Sequence, residues 1–98
     1  MKILSFDGIA ALLAKKLVEE LDGGTLCEYL EEKLDIDAEY EGAGEWLIDD
    51  TPYFEDDMQN YIAKQLQPIV GKDIASMYNE ISDDDQAEYV GDSIFELK

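Results

Sequence analysis

The segment Asp35–Asp49, DIDAEYEGAGEWLID, carries the clearest secondary-structure pattern of the chain. Acidic residues occupy the odd positions from 35 to 41, and less polar residues occupy the even ones. A period of two predicts a half-buried strand with one acidic face. Gly42-Ala43-Gly44 supplies turn residues and Glu45–Asp49 predicts a return strand, so we expect a hairpin with a loop of about three residues.

Two helices are predicted before this hairpin. Met1–Phe6 has the residues of a short strand, after which Asp7 is placed to cap a helix with apolar residues every three or four positions. Asp22-Gly23-Gly24 is expected to end this helix. Thr25 stands three residues before a glutamate, the spacing of a capping box, and predicts a second helix over Leu26–Leu34.

Two further helices are predicted after the hairpin. Pro52, preceded by Asp50 or Thr51, is a helix-start signal, and an apolar stripe then runs from Phe54 to Leu66. A second stripe with offsets of three, four and seven follows Asp73. Both patterns are typical of amphipathic helices.

The C-terminal segment has two interpretations. Ser82 stands three residues before Asp85, which predicts the capped start of another helix. Gly91-Asp92 is able to break that helix and leave Ile94–Leu97 as a strand, so helix and strand both remain open for the last residues.

These elements predict an α+β fold in which residues 1–98 form a single acidic domain. We expect it to be mostly helical, with four or five short helices and a small antiparallel sheet or hairpin. No internal repeat, linker or low-complexity segment is evident. A folded chain of 11.1 kDa has an accessible surface of about 5,700 Å², which leaves enough buried area for a core.

The composition excludes most enzyme classes. The 98 residues include 25 acids, seven basic residues that are all lysine, and no histidine, for a net charge of −18. There is therefore no imidazole base and no guanidinium clamp for phosphate. The single Cys27 allows neither an internal disulfide nor a thiolate zinc site. We expect no catalytic residue, no metal and no cofactor, and a reducing cytoplasmic compartment.

The net charge also limits which kinds of partner the protein binds. Direct binding to nucleic acid or to an anionic membrane is unfavourable, because those surfaces are themselves negative. Residues 28–57 hold thirteen acids against one lysine, and residues 80–92 hold six acids and no base. Solubility needs a net charge of only about 2 to 8, and a larger charge destabilises the fold by self-repulsion. Alternate carboxylates of a strand also recur every 6.6 Å or so, about two phosphate steps of a DNA strand.

A calcium loop is the specific alternative for Asp35–Trp46, since carboxylates occupy its first, third and fifth positions. The sixth position requires glycine and holds Tyr40, and the twelfth requires glutamate and holds Trp46. An exposed acidic strand is the favoured interpretation.

In size, charge and lack of catalytic residue types, the chain resembles the small acidic inhibitors of bacteriophages and other mobile elements. These are DNA-mimic antirestriction proteins, uracil-glycosylase inhibitors and acidic anti-CRISPR proteins. The resemblance implies a non-catalytic inhibitor in the cytoplasm of a bacterial host cell. It would bind the basic surface where a nuclease or a CRISPR or restriction complex holds nucleic acid.

In this interpretation carboxylates pair with the lysines and arginines that otherwise hold phosphates, and Tyr40, Tyr53 or Trp46 add apolar contact. The predicted partner-binding residues are Asp35, Asp37, Glu39, Glu41, Glu45, Asp49, Asp50, Glu55, Asp56, Asp57, Asp83, Asp84 and Asp85. Two alternatives stay open: an acidic partner or chaperone that masks a basic protein, and a salt-adapted domain with evenly spread acids. The target and the oligomeric state are open as well.

Overall fold

The computed structural model describes residues 2–98. The elements follow in the order β1 (Lys2–Ser5), α1 (Phe6–Glu20), α2 (Gly23–Leu34), β2 (Ala38–Gly42), β3 (Glu45–Ile48), β4 (Thr51–Tyr53), α3 (Glu55–Gln65), α4 (Gly71–Ile81), β5 (Ala87–Gly91) and β6 (Ile94–Leu97). The predicted α+β class is confirmed. Helices take about half of the described residues, so "mostly helical" is only roughly met.

In residues 2–98, six short strands form two antiparallel sheets of three strands each, in the orders β2-β3-β4 and β1-β6-β5. The predicted hairpin is β2 and β3, with a bulge between Tyr40 and Gly42 and a turn at Ala43-Gly44. Ala43 has a φ of 53°, so the turn places a non-glycine residue in the left-handed region. Of the two interpretations of Ile94–Leu97, the strand is the correct one.

The core lies between the helices and one face of each sheet. Its centre is the contact of α1 with α3, where Leu13 and Leu17 of α1, Ile62 of α3 and Leu66 directly after α3 have no exposed surface. The accessible surface is 5754 Å², as the mass predicts. Burial of these apolar side chains is the main stabilising contribution.

The two halves of the chain have the same order of elements, β-α-α-β-β, so the expectation that no internal repeat exists is wrong at the level of structure. Adding 49 to the residue numbers of β2 and β3 gives β5 and β6, and adding 49 to Phe6 gives Glu55, the first residue of α3. The registers agree as well, because Leu4 pairs with Phe95 and Tyr53 pairs with Trp46 at the same shift of 49.

Local details repeat as well, with the shift of 49 on the strands and a shift of 48 at the start of the second helix of each half. Ala38–Gly42 reads AEYEG and Ala87–Gly91 reads AEYVG, and both strands carry a bulge before the final glycine. Each tyrosine ring covers the first glycine of the preceding helix. A Cβ at Gly23 would lie 2.3 Å from the ring of Tyr40, and one at Gly71 would lie 2.4 Å from the ring of Tyr89.

The halves exchange their first strands. β1 begins the first half and pairs with β6 of the second, while β4 begins the second half and pairs with β3 of the first. Each sheet is therefore built from both halves. The pairing of β1 with β6 is long-range along the chain, so local patterns do not reveal it, whereas a tight turn joins β3 to β4.

The helix starts differ from those predicted, because other side chains accept the free N–H groups. Ser5, and not Asp7, caps α1 by accepting from the N–H of Gly8 at 3.1 Å. Asp22 caps α2 by accepting from the N–H of Thr25 at 2.8 Å, so this helix begins at Gly23. That hydrogen bond also lowers the pKa of Asp22.

Two predicted helix starts are wrong. Pro52 lies in β4, where Leu47 is its partner, because an edge strand tolerates proline. No helix begins at Ser82 in the described chain. The predicted contact of Ser82 with Asp85 exists at 2.6 Å, but it closes the connection from α4 to β5. Asn79 then fixes that strand through two hydrogen bonds to the backbone of Ala87.

Candidate partner-binding surface

The turn between β3 and β4 gathers part of the predicted acidic set. Asp49 and Asp50 both have positive φ angles, of 51° and 63°, as a tight hairpin turn requires. Together with Asp37 and Glu39 they surround Leu47 in a shallow groove of about 150 Å³. Four predicted carboxylates therefore meet at one end of this sheet.

The solvent-facing side of this sheet carries Glu39 and two further acids. Glu39, Leu47 and Pro52 are cross-strand partners and so point to one side. The other side carries Trp46, which is buried. Glu39 and Glu41 are exposed and Glu45 is half-buried, so this outer face is acidic around a small apolar centre.

A second acidic group forms at the start of α3. Glu55, Asp56 and Asp57 occupy its first turn, where the helix dipole stabilises negative charge. They line a groove of about 440 Å³ with the β2–β3 turn. The Glu55 carboxylate lies 3.6 Å from where a Cβ of Gly44 would stand, so this group adjoins the hairpin.

Asp35 does not belong to the strand, contrary to the predicted alternation. The strand begins at Ala38, and Asp35 ends α2 in the left-handed region with a φ of 55°. Aspartate tolerates this conformation better than most residues. Only Glu39 and Glu41 remain as alternate carboxylates of β2.

The C-terminal acids are divided between two roles. Asp83 and Asp84 are exposed and line a separate groove with Glu20 and Glu80. Asp85 instead points inward, towards the hydroxyl groups of Ser82 and Tyr78. The predicted acids thus lie around the β2-β3-β4 sheet in two groups and leave residues 83–85 elsewhere. Asp49 and Asp50 lie at one end of the sheet, and the α3 acids lie beside the β2–β3 turn at the other end. The α3 acids are Glu55, Asp56 and Asp57, and the hairpin acids are Asp37, Glu39, Glu41, Glu45, Asp49 and Asp50.

Asp85 Oδ1 accepts hydrogen bonds from the hydroxyl groups of Ser82 and Tyr78, each at 2.6 Å. These bonds favour the ionised carboxylate and lower the pKa of Asp85. Burial and the same contact raise the pKa of Tyr78 to about 12. The Asp85 carboxylate is therefore already held by the protein's own donors.

No lysine of residues 2–98 forms an ion pair with the hairpin acids or the α3 acids. Within residues 2–98 the ion pairs are Lys16–Glu20, Lys33–Glu80 and Lys98–Glu88. None of these acids is among the predicted residues between 35 and 57. The negative charges of those carboxylates are therefore not neutralised by a lysine of residues 2–98.

The three aromatic residues expected to add contact differ in accessibility. Trp46 is buried, with its ring N–H donating to the carbonyl of Gly23 at 3.4 Å. Tyr40 lies against Trp46 but is 42% exposed, and Tyr53 is half-buried. Sequence reasoning missed Phe54, which is 55% exposed beside the α3 acids. Its position directly before three acids was the available signal.

Cys27 lies near the same acids and is not activated by them. Burial raises the pKa of its thiol, and the carboxylates of Glu39 and Asp37 raise it further. A thiol with a raised pKa is a poor nucleophile at neutral pH.

Within the described residues no helix is long and apolar enough to cross a membrane. Across residues 2–98, no three acidic or cysteine side chains come together as ligands for a metal ion. No protein-family model matches the chain, and no curated protein or solved structure matches it either.

Proposed function

We propose that the protein is a non-catalytic inhibitor that imitates the charge of nucleic acid. It occupies the basic nucleic-acid-binding site of a bacterial defence nuclease or surveillance complex, and so prevents that site from holding DNA or RNA. The contacting residues are the hairpin acids and the α3 acids.

The observation that carries this proposal is the density of charge along the molecule. Eighteen net negative charges along a longest axis of 38 Å give one charge per about 2.1 Å. Duplex DNA carries one per about 1.7 Å of its axis. The molecule is also about as long as one turn of the duplex, which is about 34 to 36 Å. A basic groove built for DNA would meet a similar linear charge.

The placement of the acids supports the same function. They lie on a turn, a bulged strand and a helix start, all tied to the buried core, and no lysine of residues 2–98 pairs with them. The fold fixes the backbone at these positions, so only the side chains have to be ordered when lysines or arginines bind them. Long-range attraction should make association fast and sensitive to salt.

The test is a competition experiment with a purified nuclease. A Cas9-type effector and a restriction endonuclease are each mixed with labelled target DNA, and the protein is added at increasing concentration. We expect the bound fraction of DNA to fall for a susceptible enzyme, and the inhibition to weaken as salt rises from about 0.05 to 0.2 M.

A matched pair of variants locates the surface. The triple variant Glu39→Gln, Glu41→Gln, Glu45→Gln removes three charges from the hairpin. The control triple variant Glu28→Gln, Glu31→Gln, Glu32→Gln removes three exposed charges from α2. Inhibition should fall at least about tenfold in the first and less than about threefold in the second.

Equal losses in both variants would show that net charge alone matters and would contradict the proposed surface. An enzyme that binds the protein and still holds its DNA normally would contradict competition and favour a masking partner.

A further inference from the structure

The two halves treat the start of their second helix in opposite ways. In α2 the residue before the helix is Asp22, which caps it. In α4 the same position holds Val70, with no side-chain cap, although its backbone angles of −67° and 150° are close to the −69° and 166° of Asp22. The second half therefore gives up a stabilising cap at a place where aspartate fits.

Val70 is also the most exposed of the large apolar residues, at 63%. An uncapped helix start and an exposed valine each oppose folding stability or solubility. Departures of this kind from local sequence rules concentrate at functional sites.

Grooves flank this residue on both sides. One, of about 470 Å³, is lined by uncharged residues, including Phe6, Ile69 and Tyr89. The other, of about 460 Å³, includes Ile69 and Met77, the ammonium of Lys33 and the carboxylates of Asp73 and Glu80, so it keeps one net negative charge. Glu80 has Lys33 at 3.4 Å, whereas Asp73 has no ion-pair partner within residues 2–98. Ile69 and Val70 thus form an apolar ridge with one acidic side.

The charges beside the Ile69–Val70 ridge indicate which kind of molecule binds there. A second copy of the chain would bring another 18 net negative charges against this acidic side. A segment with apolar side chains beside lysine or arginine would satisfy both the ridge and Asp73.

We infer that the Ile69–Val70 ridge is a docking site for a basic amphipathic segment of a protein partner. The inference rests on the proposed function, in that the partner is the same basic protein, and it adds an apolar anchor to the electrostatic contact. It places that anchor on the second half of the chain, apart from the hairpin acids.

The test uses the full-length protein and two synthetic peptides. One is an amphipathic helix of leucine and lysine, and the other has the same length and charge with serine in place of leucine. Affinities are measured by fluorescence anisotropy at about 0.15 M salt. We expect the leucine peptide to bind at least about tenfold more tightly than the serine peptide.

The variant Val70→Asn should remove that preference and leave the affinity for the serine peptide unchanged. It should also raise Tm, by about 4 °C, because asparagine restores a cap at this position. A gain in stability with a loss of binding separates a docking role from a structural one. The control Val90→Asn, at a valine that is 51% exposed on β5, should keep the preference.

A leucine preference that survives in Val70→Asn would overturn the inference, as would equal affinities of the native protein for both peptides. In that second case the binding of cations would still stand, so the proposed function would not fall with it. Self-association that disappears in Val70→Asn would identify a second copy as the occupant and would also overturn the inference. Failure of both peptides to bind would contradict both proposals.

Discussion

The first and second halves of the chain share a scaffold and differ in surface. Residues 1–49 carry thirteen acids and four lysines, and residues 50–98 carry twelve acids and three lysines, so each half has a net charge of −9. Their buried positions correspond closely: Leu17 matches Leu66, and Trp46 matches Phe95. The comparison shows that the core preserves the repeat while exposed positions diverge.

That divergence is concentrated on the hairpins. Glu41 and Glu45 of the first hairpin correspond to Val90 and Ile94 of the second. The first half is therefore acidic where the second is apolar. The total charge is shared equally between the halves, whereas the type of contact that each offers is different.

The largest expected effect is on the shared core. Leu17→Ala and Leu66→Ala each remove a fully buried side chain at corresponding positions, and each should lower the free energy of unfolding by about 2 to 5 kcal/mol. Chemical denaturation of both variants measures it. If the two losses differ by more than about 2 kcal/mol, the halves are not energetically equivalent.

A second pair sharpens the comparison at the packed glycines. Gly71→Ala and Gly23→Ala would each drive a Cβ into a tyrosine ring and should cost about 1 to 3 kcal/mol. Tyr89 is half-buried and Tyr40 is exposed, so the Gly71 variant should lose more, because its ring has less room to move. A larger loss in Gly23→Ala, by thermal or chemical unfolding, would contradict this explanation.

Within residues 2–98, the second half has a carboxylate, Asp85, that accepts hydrogen bonds from two side-chain hydroxyl groups, and the first half has none of this kind. Counted from the first residues of α2 and α4, which differ by 48, the buried Leu30 corresponds to the buried Tyr78. A leucine has no hydroxyl group, so the hydrogen bond from Tyr78 to Asp85 has no counterpart in the first half. Asp85→Asn should cost about 1 to 2 kcal/mol at pH 7.

The pH dependence of that loss follows from the lowered pKa of Asp85. The folded state holds this carboxylate ionised more strongly than the unfolded state does, so its stabilisation is present above about pH 4 and disappears as pH falls through the lowered pKa. The difference between native and Asp85→Asn stability should shrink towards zero in acid. A constant difference from pH 7 to 2 or so would show that ionisation is not the cause.

Alkaline solution tests Tyr78 in the same manner. The pKa of Tyr78 is raised to about 12 in the folded protein, whereas the pKa of an unfolded tyrosine is about 10. The stabilisation is complete below pH 10 and falls as the pH rises towards 12. Tyr78→Phe should flatten this part of the curve, and Tyr29→Phe is needed beside it because burial also raises the pKa of Tyr29.

The smallest effect is expected from changing the chain order. Lys2 pairs with Leu97, at the place that corresponds to the Asp49–Asp50 turn. A permuted chain, with a short linker from Lys98 to Lys2 and an opening between Asp49 and Asp50, should keep its helical circular dichroism and lose less than about 1 kcal/mol. A permuted chain that fails to fold would contradict the equivalence of the two connections.

Sequence patterns predicted the local elements better than their assembly. The hairpin, the four helices and the first strand follow from periodicity, since apolar spacing reflects which face is buried. The repeated AEY of β2 and β5 was visible but spans too few residues to stand out. Strand β4 was not predicted, because it has only three residues and contains a proline.

The candidate site was predictable in composition and only partly in geometry. Asp49 and Asp50 meet Asp37 and Glu39 because a turn places them there, whereas Glu55 lies at the opposite end of the sheet because α3 starts beside the β2–β3 turn. Asp35 ends a helix and Asp85 serves the fold. Local sequence does not separate these roles, since the same residue type caps helices, accepts internal hydrogen bonds and faces solvent.

The exchange of first strands determines what proteolysis would do. The exposed Asp49–Asp50 turn is the kind of loop tip where proteases cut. After such a cut β1 would still pair with β6 and β4 with β3, and α1 would remain against α3. The two fragments would stay interlocked without a covalent link, and a nicked molecule would keep its acidic surfaces.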